Sequence, residues 1–203
     1  MIFRLPIMAL VCVVALTGCI SVKSYVDPAY TKTHYENLKK PAEALPLKVN
    51  VEFSRNGKPL PKADDELRGN VERILRASGL VTPAESAANG EIMVRVNNVG
   101  DLGSAGAKGF GTGLTFGLVG STVQDGYEMV VELTTNGTMV TKSGYKDVLV
   151  STVGNKSAPK GLTPISPSAA FSTIVEQMLL NALGDFQADG LLVAGEDAHA
   201  PIP

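Results

Sequence analysis

The sequence predicts an α+β domain, a small mixed sheet of about four strands with two helices on one face, in the order β-α-β-(Gly-rich insert)-β-β-α. Three observations lead there. Apolar residues alternate with polar ones over Leu47–Phe53, Ile92–Val96 and Tyr127–Leu133, the period of a half-buried strand. Leu67–Leu75 and Phe171–Phe186 instead repeat apolar residues at helical spacing. Asn136-Gly137 follows the third strand at once, and that pair favours a two-residue hairpin turn.

Taken in order, the domain opens with Leu47, Val49, Val51 and Phe53 alternating with Lys48, Asn50 and Glu52. Asn56-Gly57 and two prolines close this strand, and Asp64 and Asp65 are cap candidates for a helix with the face Leu67, Val71, Ile74 and Leu75. Gly79 ends it. Arg68, Arg73 and Arg76 fall off that face, with Glu72 placed to pair with Arg76, and read as a solvated surface. The second and third strands flank the glycine-rich insert, residues 100–123. A returning strand is expected within Met139–Val153, where Val148, Leu149 and Val150 lack alternation and would be buried on both faces. After Pro159, Pro164 and Pro167, either Ser166 or Ser168 caps the last helix, whose Phe171, Ile174, Val175, Met178, Ala182, Leu183 and Phe186 form a core face. Helices on one face of the sheet would bury both apolar stripes.

The N-terminus carries Arg4 and then an uncharged apolar run from Leu5 to Leu16, too short for a membrane-spanning helix, which needs ~20 residues. It reads as a secretory signal, residues 1–18. Leu16-Thr17-Gly18-Cys19 resembles the lipobox of bacterial lipoproteins. That resemblance implies a diacylglycerol on the Cys19 sulfur, cleavage after Gly18 and acylation of the new N-terminus. Of the two cysteines in the chain, Cys12 would leave with the signal, so no internal disulfide can form in the mature protein. A thioether-linked lipid accounts for a lone cysteine in an oxidising compartment. Ile20 stands where Asp would signal retention at an inner membrane, so the resemblance implies the outer membrane, facing the periplasm, if the source has two membranes. With a single membrane it implies the outer face of the cell membrane.

Residues 19–46 are polar, lack a sustained period and read as a lipidated tether. Fully extended, such a tether would reach ~90 Å from the lipid. Residues 47–187 form the single domain and 188–203 a loose tail. Strand and helix order behind a lipobox is similar to that of small envelope lipoproteins related to the curli-secretion lipoprotein and to the lipoprotein activators of peptidoglycan synthases. The resemblance carries no binding residue across. It implies a membrane partner through the anchor, with other envelope proteins or peptidoglycan as further partners and a homo-oligomer as an option.

Charge and motif content narrow the function classes. The net charge of −2 becomes −3 once Arg4 is removed, and the basic residues are spread along the chain, so nucleic acid is not an expected partner. His34 lies in the tether and His199 in the tail, which leaves no histidine in the expected core for a serine triad or a zinc site. Glu128 and Glu132 share one strand face but stand ~13 Å apart along it, too far to act on one group. Asp125 and Asp147 could meet across the hairpin. Gly103 to Lys108 fails the phosphate-loop pattern, and Gly109, Gly111 and Gly113 do not complete a dinucleotide fingerprint. Catalytic, cofactor-binding and metal residues are therefore assigned to none, and no cofactor is expected.

The insert has its own pattern. Gly109, Gly113 and Gly117 recur every four residues between Ala105 and Ser121, a stripe that in a helix would permit close self-association or membrane contact. A loop between two strands explains the same composition. The expectation is a lipid-anchored envelope protein without catalysis, a binding or assembly accessory module. Its alternatives are an oligomeric membrane-inserting or channel-forming lipoprotein that uses the Gly-rich segment, and an envelope hydrolase with an unrecognised site.

Overall fold

The computed structural model describes residues 22–87, 89–100, 122–153 and 158–192. Its strands are β1 (Val22–Val26), β2 (Leu45–Arg55), β3 (Lys58–Pro59), β4 (Val81–Ala84), β5 (Glu91–Val99), β6 (Thr122–Thr135) and β7 (Thr138–Val153). Its helices are α1 (Asp64–Ser78) and α2 (Pro167–Ala188). All seven strands share one mixed sheet in the order β1-β7-β6-β5-β2-β3, with β4 beside β2. β2 runs parallel to β5 and β4, and the remaining pairs are antiparallel.

The architecture is α+β, but the small four-stranded sheet expected from periodicity is corrected to one of seven strands. The additional strands are too short to display a period. β3 is two residues long and exists because Asn56 and Gly57 both adopt positive φ, 51° and 73°, turning the chain back on β2. β4 follows the left-handed cap at Gly79, φ 72°, and runs beside Leu45–Lys48. β1 comes from the stretch read as tether and pairs with the end of β7 over five residues.

Leu67, Val71, Ile74 and Leu75 of α1 are buried as their spacing predicts. Asp64 does not cap the helix with its side chain; its carboxylate accepts from the Phe53 backbone N–H at 2.7 Å and so ties the start of α1 to β2. Ser166 is the cap of α2, its hydroxyl accepting from Ala169 N–H at 3.2 Å. α1 and α2 lie on the same sheet face and share one core with Val49, Phe53, Val94, Met129 and Leu133. Val148, Leu149 and Val150 are buried, and they divide between two clusters: Leu149 joins the main core, while Val148 and Val150 pack with Tyr25.

The segment between β1 and β2 falls within the stretch expected to be a tether, and it is folded back on the domain. It crosses the outer side of α2 as a strap containing the 3-10 turns Pro28–Tyr30 and Tyr35–Asn37. Side-chain amides of α2 hold its backbone. Asn181 accepts from Lys32 N–H and Thr33 N–H at 2.9 Å each and donates to the Tyr30 carbonyl at 2.9 Å. Gln187 pairs with both the N–H and the carbonyl of Lys39, at 3.0 and 2.6 Å. Gly184 permits the approach, since a Cβ there would meet the Thr33 hydroxyl at 2.8 Å. A strap held through its backbone needs no apolar period, which is why it looked like a linker.

Candidate functional site

Two features converge at one end of the sheet. There β1 begins, β7 ends and β6 begins, with Val22 opposite Val153 and Thr122 opposite Thr152. β5 stops earlier, Val99 pairing with Gly126, so β6 runs ~13 Å past it and with β7 and β1 forms a projecting corner. Val22 and Val123 are exposed on this corner. Cys19, the expected lipidation site, is only three residues before Val22.

Beside the corner, between the sheet and the starts of both helices, lies an open cleft of about 480 Å³. Phe53, Tyr127 and Phe171 make its floor, with Phe171 set edge-on to Phe53 at 5.9 Å between ring centroids and tilted against Tyr127 at 5.8 Å. Arg55, Glu66, Asn98, Asp125 and Ser168 line the rest. Burial, and next the Asp125 carboxylate, push the Tyr127 hydroxyl up to about 12, so it remains a neutral donor at neutral pH. Ser168 hydrogen-bonds Glu66 at 3.3 Å, and neither a histidine nor a cysteine lines the cleft. The arrangement offers apolar contact area with a mixed-charge edge, suited to holding a ligand or a partner's side chain. Phe53 is buried in the core and Phe171 packs against it, as their spacing predicts, and because both stand near the ends of their elements they also border the cleft.

Other singled-out residues are dispersed. Asp125 and Asp147 are not opposite each other: Asp125 pairs with Leu149, and Asp147 with Tyr127. Asp147 is fully buried, one oxygen accepting from its neighbour Val148 N–H at 2.7 Å and the other without a partner. Burial, with the Asp27 charge adding to it, raises its pKa to about 8. Glu128 pairs with Lys146 at 3.0 Å and Glu132 with Arg95 at 2.5 Å on the sheet face away from the helices, so the two glutamates are engaged separately. Arg76 pairs with Glu72 at 3.0 Å, Arg73 bridges to Glu176 and Ser172 of α2, and Arg68 donates to the Val49 carbonyl. His34 lies on the strap and lines a hollow of about 210 Å³ with Tyr35, Glu176 and Gln177. Cys19, Gly109, Gly113, Gly117 and His199 lie outside the described residues.

No family model matches the chain, and no curated protein matches it. Among solved structures the chain is similar to a PelC dodecamer from Paraburkholderia phytofirmans, at 15% identity, with 79% of this chain and 95% of that one covered and a TM-score of 0.32. Among the described residues, no helix is long and apolar enough to cross a membrane, and no group of three or more His, Cys, Asp or Glu could hold a metal ion.

Proposed function

We propose that the chain is a lipid-anchored module of the cell envelope that binds a partner rather than transforming a substrate. The observation that carries this reading is the start of β1 at Val22, three residues after the lipobox cysteine and already paired into the sheet. A lipid on Cys19 would act on the folded domain directly, and two or more acyl chains make such attachment stable where one is marginal. The cleft opens at that same end and supplies an aromatic floor for a partner. Its chemistry supports contact: the hydroxyl of Ser168 is engaged by Glu66, with no histidine among the lining residues to activate it. Other envelope proteins and cell-wall glycan are the partner classes that fit an aromatic floor with a mixed-charge edge. Because Ile20 follows the cysteine, the outer membrane is the address in a two-membrane source.

Metabolic labelling with a fatty acid tests the anchor. Wild-type protein takes up label and fractionates with membranes, while Cys19→Ala takes up none and accumulates uncleaved. A wild-type chain without label overturns the reading.

A further inference from the structure

We propose that the corner of the sheet bearing Val22 and Val123 rests on the headgroup layer of the membrane, so that the domain is seated on lipid and not suspended from it. The proposal rests on Cys19 being the lipidated residue. Three residues span at most ~10 Å from Cys19 to Val22. The headgroup layer on one side of a bilayer is itself ~5–8 Å deep. Val22 is fixed in the sheet by pairing with Val153, so the chain has no slack with which to move the domain away.

The corner has the composition for that position. Among the described residues the exposed large apolar side chains are Val22, Val123 and Met139, at 43%, 45% and 62% exposure. Val22 and the start of β6 flank the last residues of β7, Val22 opposite Val153 and Val123 opposite Ser151, which at the usual strand spacing and rise puts Val123 ~12 Å from Val22. Their side chains leave the same face: Val22 shares a face with Ser24 and Val26, Val123 with Asp125 and Tyr127, and both Val26 and Tyr127 turn toward the main core. Met139 lies at the far end of the hairpin, opposite Thr134, ~37 Å along β6 from Val123. Exposed valine near an obligatory lipid attachment gains from leaving water, whereas the same exposure far from the membrane has no such use.

The test uses the full lipidated chain with a single introduced thiol, Val123→Cys or Met139→Cys, carrying a nitrobenzoxadiazole label. Both positions are on the surface, and matching thermal melts confirm that each variant folds. The labelled proteins are reconstituted in vesicles of phosphatidylethanolamine and phosphatidylglycerol with and without nitroxide-bearing headgroups. The seating predicts severalfold stronger quenching at position 123 than at position 139, with a blue-shifted emission at 123 only. Equal quenching at both positions, quenching at neither, or a blue shift at 123 that lipid nitroxides do not quench would overturn it, the last by placing protein on the corner. Flotation of the same samples separates the two readings: protein that floats but gives any of these results loses the seating alone, and protein that does not float loses the anchor and the seating together.

Discussion

α1 and α2 lie side by side on the same sheet face, yet they are held in different ways. α1 buries one stripe, Leu67, Val71, Ile74 and Leu75, and turns Glu72 and Arg76 to solvent. α2 is covered on its outer side as well, where Gln177 and Asn181 are buried beneath the strap and Asn181 holds three of the strap's backbone groups. A helix whose amides are spent on another segment's backbone has two covers, and only one of them shows up as apolar periodicity. The difference makes the N-terminal segment from Val22 part of the domain.

Breaking the second cover has the largest expected effect. Asn181→Leu deprives Lys32 N–H, Thr33 N–H and the Tyr30 carbonyl of their partner. Unsatisfied groups of this kind cost ~1–3 kcal/mol each where they stay dry. With water reaching part of the strap, a loss of about 2–4 kcal/mol in denaturant unfolding is expected. A change no greater than that of a surface substitution would mean that the strap is not held by α2.

A buried carboxyl of β7, Asp147, gives the domain a pH dependence beside the start of the strap. Asp147 lies within electrostatic reach of Asp27 and Tyr30 at that point. In the unfolded chain its carboxyl ionises near 3.8, in the folded protein only near 8. Between those values the folded state holds one more proton, so its stability falls as pH rises across the window and levels off above about 8. Asp147→Asn removes the dependence. Urea midpoints of the two proteins measured from acidic to mildly alkaline pH should differ in slope, and parallel curves would assign the dependence elsewhere.

On α1 the matching substitution should do little. Arg76→Ala breaks an ion pair whose arginine is 57% exposed, and a loss of at most about 0.5 kcal/mol is expected in the same unfolding measurement. A loss comparable to that of Asn181→Leu would erase the contrast between the helices.

The sequence made legible what burial against a single surface imposes. The stripe of α1, the inward residues of β2, β5 and β6, and the turn at Asn136-Gly137, where φ is 51° and 75°, are all where pattern places them. Asn56-Gly57 carries the same turn chemistry and built β3, but Pro59 and Pro61 beside it pointed to an ending. β1 was illegible because five residues with Ser24 buried beside Tyr25 do not alternate in polarity. The strap was illegible because its contacts run through backbone groups, which every residue type possesses. In the cleft, Phe53 and Phe171 are legible as core residues, but the three-ring floor emerges only when β2, β6 and α2 come together. The lipobox cysteine and the stripe Gly109, Gly113 and Gly117 stay as sequence observations, outside the described residues.

The central claim is that β1 and the strap, from Val22 to Leu38, are part of the folded domain. Hydrogen–deuterium exchange on the native protein tests it most directly, because the amides of Lys32 and Thr33 are bonded to Asn181 and β1 is paired with β7. Residues 22–33 should exchange slowly, with protection in β1 approaching that of β7. Exchange of the whole 22–44 stretch at the rate of an unstructured peptide would contradict the account and make that stretch a free tether ahead of the domain.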